Sequence, residues 1–162
     1  MERHEILRTR FVVENGQVWQ SAIEDQAWQI PVIHFAHAED SSDHPELLDQ
    51  FIQQQVLTEV STPFHLQNES LFRVKLLDLG KNQYVLLMNL HHIIADGWSI
   101  TLLASELMQL FRQGQQSEKN LGEILAPLDI QFADFADWQR SEFTDERLKE
   151  EIGFLKDKLY SV

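Results

Sequence analysis

Tyr84-Val85-Leu86-Leu87-Met88-Asn89-Leu90-His91-His92-Ile93-Ile94-Ala95-Asp96-Gly97-Trp98-Ser99 is the stretch on which the fold turns. Tyr84 to Met88 is apolar at successive positions, the pattern of a central strand covered on both faces. Two imidazoles follow directly. Burying them unpaired costs free energy, so they need partners or an opening to solvent. Adjacent side chains on a strand point to opposite faces, so one His can face a cavity while the other serves the structure. After Asp96-Gly97 the period becomes helical. Ile100, Leu103, Leu107, Leu110 and Phe111 mark one stripe, ending near Gly114. Gly97 lets the backbone turn sharply before that helix.

Upstream, Leu71 to Leu79 reads as a strand with Phe72, Val74 and Leu76 on one face and Arg73 and Lys75 on the other. Gly80-Lys81-Asn82 supplies the turn into Tyr84. A helix precedes this strand, with Asp43 as N-cap, Pro45 in the first turn and Glu46 in capping-box position. Leu47, Leu48, Phe51, Ile52 and Val56 give its apolar spacing, and Pro63 lies beyond its end. Near the start, Ile6 to Val13 and Gln17 to Ala22 flank Asn15-Gly16, a strong hairpin signal because both residues tolerate positive φ. Ile30 to Ala36 reads as a third strand.

Downstream, Gln115 to Pro127 reads as a loop and Ile130 to Ser141 as a helix rich in aromatics. Thr144 can cap a last helix whose Leu148, Ile152, Leu155 and Leu159 share a face. Strands and helices are mixed, so the expectation is one α/β lobe, and an incomplete one.

Composition limits the function. The chain of 162 residues holds 26 Asp+Glu against 13 Lys+Arg, a net charge of −13, which disfavours binding to phosphate backbones or anionic membranes. It has no Cys, hence no disulfide framework, thiolate metal site or Cys nucleophile. No apolar run approaches the roughly 20 residues of a membrane span, and Met1-Glu2-Arg3-His4-Glu5 lacks a signal-peptide pattern. The expected location is cytoplasmic.

The His pair can be read chemically in two ways. A neutral imidazole at a strand end can accept a proton from an attacking amine or hydroxyl. Asp96 can orient the loop through a salt bridge or touch the imidazole. Equally, the pair can be ordinary satisfied histidines at a loop, with Asp96-Gly97 a plain turn and helix cap. A metal site is not expected, because adjacent histidines rarely ligate one ion and His34 and His37 are remote in sequence with no matching carboxylate spacing.

His91-His92-x-x-x-Asp96-Gly97-Trp98-Ser99 resembles the central motif of condensation domains of nonribosomal peptide synthetases. Arg3-His4-Glu5-x-Leu7-Arg8-Thr9-x-Phe11 is similar to the second core motif of that family. Phe132-Ala133-Asp134-Phe135-Ala136-Asp137-Trp138-Gln139 is similar to the fourth, with Phe where the family often has Tyr. Pro63-Phe64 through Leu71-Phe72-Arg73-Val74 also resembles the family's approach to the His motif.

The resemblance implies a chloramphenicol acetyltransferase-like fold of two lobes with a tunnel between them. Residues 1–162 would be most of the N-terminal lobe, with the first motif before Met1 and the C-terminal lobe after Val162. The implied reaction is amide formation between aminoacyl or peptidyl thioesters on upstream and downstream carrier domains. Substrates would arrive on phosphopantetheine arms, with an adenylation domain adjacent and no cofactor bound directly. His92 is then the catalytic candidate and Gly97 the residue whose N–H faces the developing oxyanion. His91 is assigned to packing or hydrogen bonding, and Asp96 to support, with Arg8 as its first charge partner and Arg3 as its second. Trp98, Ser99 and Trp138 are tunnel or packing residues. Two other functions compete: a free-standing acyltransferase of the same fold, and a truncated module that docks carrier domains without chemistry.

Overall fold

The computed structural model describes residues 1–23, 29–37, 45–114 and 124–160. Its elements are β1 (Thr9–Glu14), β2 (Gln17–Ala22), β3 (Val32–His34), α1 (Pro45–Ser61), β4 (Phe72–Gly80), β5 (Gln83–Leu90), α2 (Gly97–Gly114), α3 (Phe132–Glu142) and α4 (Asp145–Leu159). The chain divides into two units, Met1–Ala126 and Pro127–Val162. Most of the expected loop from Gln115 to Pro127 lies outside the described residues. Among the described residues no helix is long and apolar enough to cross a membrane.

In the first unit β1 and β2 form an antiparallel hairpin closed at Glu14↔Gln17. Asn15 and Gly16 have φ of 53° and 77°, the two positive values that a two-residue turn matched to strand twist requires. The expected strand over Ile6 to Val13 is shorter than its sequence suggests. Glu5–Arg8 is a 3₁₀ turn, and β1 begins at Thr9. The Thr9 hydroxyl donates to the Glu5 carbonyl at 2.8 Å, which favours the turn over extension. The turn buries Leu7 and leaves Arg8 half-buried.

The second sheet has the order β3-β4-β5, with β3 parallel and β5 antiparallel to β4. Helix α1 is the crossover that a parallel pair needs. Pro31 and Phe35 extend the pairing of β3 at both ends, through Leu76 N–H to Pro31 O and Phe35 N–H to Asp78 O, each 2.9 Å. The helix starts at Pro45, and its expected cap, Asp43, lies outside the described residues.

The apolar run of Tyr84 to Met88 does not form the central strand. Strand β4 is central and buried, while β5 pairs, among the described residues, with β4 alone. Tyr84 and Leu86 are exposed. Composition reports what a strand can bury; pairing order decides what it does bury.

Both faces of β4 are used. Phe72 and Val74 join Leu7, Phe11, Leu71, Ile94 and Ala95 in one cluster, with Met88, Leu90 and Leu103 packed against it. On the opposite face Leu77 is fully buried and Leu79 buried, in line with Arg73 and Lys75. Helix α1 meets that face through Glu59, whose Oε1 lies 2.7 Å from Arg73 Nε and whose Oε2 lies 2.7 Å from Lys75 Nζ. Phe51 of α1 packs on Phe35 at 5.3 Å between ring centroids. Burying a side chain such as Leu77 is worth about 1.5–3 kcal/mol.

In the second unit Gln131 N–H donates to Asp134 Oδ2 at 2.8 Å at the start of α3. Thr144 accepts from Arg147 N–H at 3.4 Å and caps α4 as its sequence predicts. Leu148, Ile152, Leu155 and Leu159 share a face of α4 but are exposed.

Candidate active site at His92

The site is built where β5 runs out. His91 N–H still donates to Leu71 O at 2.9 Å, the last rung next to the sheet. The backbone then folds back, with Ile94 N–H donating to His91 O at 3.0 Å. Ile94 and Ala95 are buried and pin this turn into the cluster below it. The two adjacent histidines consequently differ. His91 is half-buried, its ring edge-on to Phe64 with 5.9 Å between centroids. Its Nδ1 accepts from Ile93 N–H at 3.1 Å, so the proton of a neutral His91 sits on Nε2. His92 is exposed, and among the described residues its imidazole has no hydrogen-bond partner.

Asp96 is the cap of α2. Its Oδ1 accepts from the Ser99 hydroxyl at 2.6 Å and from Ser99 N–H at 2.8 Å. These bonds hold its carboxyl below the usual range, the Ser99 side chain contributing most. The first bond of the helix runs from Ile100 N–H to Asp96 O at 3.0 Å. Among the described residues no acceptor meets the N–H of Gly97 or Trp98, the two donors ahead of the capped one. Gly97 does not have a left-handed φ, so the turn does not require glycine for its backbone. A Cβ there would meet nothing within 4 Å. Its lack of a side chain leaves open space at the helix start. Trp98 beside it is 82% exposed.

The expected pairing of Asp96 with Arg8 is not made. Arg8 donates instead to Ile23 O at 2.9 Å and to Glu5 Oε1 at 3.1 Å, both near its own 3₁₀ turn. Arg3 is not its substitute. Arg3 Nε donates to Glu106 Oε1 at 3.1 Å, and its terminal nitrogen to Ala126 O. His4 Nε2 lies 2.6 Å from Glu106 Oε2. The N-terminal motif is thus fastened to α2, the helix that Asp96 caps, rather than to Asp96. Trp138 belongs to the second unit, where its ring lies against Phe135 at 5.6 Å between centroids.

Glu106 and Glu59 have no role in the expectations from sequence. Both are recognisable there as carboxylates on an inward helix stripe: Glu106 follows Leu103 by three and precedes Leu110 by four, and Glu59 follows Ile52 by seven. Burial alone would raise both carboxyls, but both end below their ordinary 4.5. Hydrogen bonding and charge from Lys75, with the charge of Arg73, outweigh burial at Glu59; His4 and Arg3 do so at Glu106.

A strand delivers two histidines to the start of a capped helix beside a βαβ crossover, and superposition on solved structures gives this α/β lobe the chloramphenicol acetyltransferase-like fold. Residues 1–157 match the profile of the condensation domain, and the chain belongs to that family. Linear gramicidin synthase of Brevibacillus parabrevis is similar to it through more than one of its polypeptides. One is 38% identical over 160 residues, 97% of this chain and 3% of that protein. Another is 33% identical over 159 residues, 98% of this chain and 2% of its relative. Bassianolide nonribosomal cyclodepsipeptide synthetase of Beauveria bassiana is 38% identical over 141 residues, 87% of this chain and 4% of that one. Among solved structures, the starter condensation domain of rhizomide synthetase RzmA superposes with a TM-score of 0.69 at 19% identity, covering 94% of this chain and 35% of that one. SgcC5 from Streptomyces globisporus gives 0.65 at 24% identity, covering 99% and 34%. The chain therefore spans about a third of these solved structures and a few percent of the synthetases.

Proposed function

We propose that the chain is the His-bearing N-terminal lobe of a condensation domain that forms amide bonds between carrier-tethered thioesters. The acceptor amine attacks the donor thioester carbonyl. The N–C bond forms, the C–S bond breaks, and the amine proton ends on the departing phosphopantetheine sulfur. His92 accepts the amine proton or holds the amine in line, and the open space at Gly97 receives the carbonyl oxygen opposite the helix N–H groups. His91, Asp96, Arg3 and Arg8 support the site without touching substrate, and Trp98 lines its approach. No cofactor is bound directly. Upstream and downstream carrier domains and an adenylation domain are its partners, in the cytoplasm.

The observation carrying this reading is the division of labour in the motif. His91, Asp96 and Ser99 are committed to local bonds, whereas the exposed His92 imidazole has no hydrogen-bond partner among the described residues. General acid–base help is typically worth about 10²–10⁴ in rate, and positioning can exceed it. An intact condensation domain carrying this lobe should lose at least about a hundredfold in amide formation on His92→Ala. Near-normal turnover would sink the assignment. The 162-residue chain alone should be inactive, because it spans about a third of the solved structures it resembles, too little to hold two tethered substrates and exclude water. Turnover by it would overturn the partial-domain reading.

A further inference from the structure

We propose that Arg73 is a positioning residue for His92, acting through Phe64 and His91; this rests on the catalytic reading of His92 above. Arg73 stands on β4, opposite Asn89 of β5. Its guanidinium gathers the end of α1 and the segment after it. One terminal nitrogen donates to Thr62 O at 2.6 Å and reaches Glu59 O at 3.5 Å; the other donates to Pro63 O at 3.3 Å. The Glu59 carbonyl lies in the last turn of α1 and the other two just past its end, where backbone acceptors lack intrahelical donors. The Asn89 amide donates to the same Glu59 carbonyl at 3.1 Å. Arg73 Nε and Glu59 Oε1 are 2.7 Å apart as an ion pair, although their alignment is not that of a hydrogen bond.

The same guanidinium lies over the Phe64 ring, 3.8 Å from its centroid, within cation–π range. Phe64 in turn presents its ring to His91 in an edge-to-face arrangement at 86°. His91 closes the chain of contacts by accepting from Ile93 N–H at 3.1 Å. The residues on either side of His92 are thus tied to each other across it. Among the described residues the His92 imidazole has no hydrogen-bond partner to orient it, so its direction is inherited from this turn. Rings locked by packing and outer hydrogen bonds are what hold a reacting group to useful tolerance.

A lysine at position 73 would keep a charge for Glu59 but lose the planar fork that spans the 62–63 carbonyls and Phe64. Lys75 supplies the control. It also pairs with Glu59, yet among the bonds of the described residues none joins it to the 62–64 segment. The test uses the full chain labelled with nitrogen-15. Two readouts are compared: the Ile93 amide exchange rate relative to the Leu77 amide, and the His91 Nδ1 shift, which reports whether that nitrogen accepts. Arg73→Lys and Phe64→Leu should each speed Ile93 exchange at least about fivefold over Leu77 and move the His91 shift. Phe64→Tyr, which keeps a ring, should move neither. Lys75→Gln should change Ile93 and Leu77 together.

The proposal is overturned if Ile93 tracks Leu77 in both Arg73→Lys and Phe64→Leu, or if Lys75→Gln moves His91 as much as Arg73→Lys does. Neither readout involves bond formation. If the relay responds as expected but His92→Ala leaves amide formation intact, the function fails and the positioning stands.

Discussion

Two buried carboxylates organise the first unit, and they do so differently. Glu59 faces an arginine and a lysine at alternate positions of one strand, Arg73 and Lys75, each 2.7 Å away. Glu106 faces Arg3 and His4, adjacent residues of the N-terminal motif, more than a hundred positions away in the chain. The first cluster joins a helix to the sheet within one crossover unit. The second joins the start of the chain to the helix that follows the His motif. The first cluster sets two cationic side chains on one carboxylate, whereas the second sets one guanidinium beside an imidazole whose ring nitrogen donates or accepts according to its tautomer. The same physics thus ties a helix to its neighbouring strand in one place and to a segment far away in sequence in the other.

Glu59→Gln should produce the largest loss. It leaves two half-buried cations facing a neutral group, and breaking such a pair typically costs about 3 kcal/mol or more. Urea unfolding should show the loss as a lower midpoint with an unchanged slope. Glu106→Gln should cost about 1–2 kcal/mol, less than Glu59→Gln, because one guanidinium, Arg3, loses its carboxylate there, against an arginine and a lysine at Glu59. If the two variants proved equal, the contrast between the clusters would disappear.

That contrast is only partly legible in the sequence. The Asn15-Gly16 hairpin, the helix after Asp96 and the turn at Lys81-Asn82 are readable because each depends on local backbone chemistry. Lys81 and Asn82 do adopt φ of 51° and 59°. The His motif is readable because it is contiguous. What the sequence hides is non-local. Tyr84 to Met88 has the composition of a central strand, but nothing in it says that β4 takes that place. Arg8 has the charge to pair with Asp96, but charge does not say where its side chain is delivered. The 3₁₀ turn, stabilised by Thr9 bonding back to Glu5, gives Arg8 the Glu5 carboxylate and the Ile23 carbonyl instead.

Acid should sharpen the comparison. Both glutamates titrate below 4.5 in the folded chain, so the folded state binds fewer protons than the unfolded one as pH falls toward that value. Their contribution is fully present above 4.5 and is lost as pH drops through the folded-state values. Between about pH 7 and 3, the urea midpoint should fall less steeply in Glu59→Gln than in the parent chain. An acid limb of unchanged depth would show that Glu59 is not a source of that dependence.

The smallest effect separates capping from charge pairing at Asp96. As a cap, Asp96 needs an acceptor for Ser99 and no positive partner, a role asparagine fills about as well. Asp96→Asn should therefore leave the unfolding midpoint nearly in place, while Asp96→Ala lowers it by less than either glutamate change. If asparagine were as harmful as alanine, the negative charge itself would matter, and a cation would have to reach Asp96 in solution. Arg8 could do so only by giving up Glu5 and Ile23 O, so Arg8→Lys in the Asp96→Asn background would then cost nothing further.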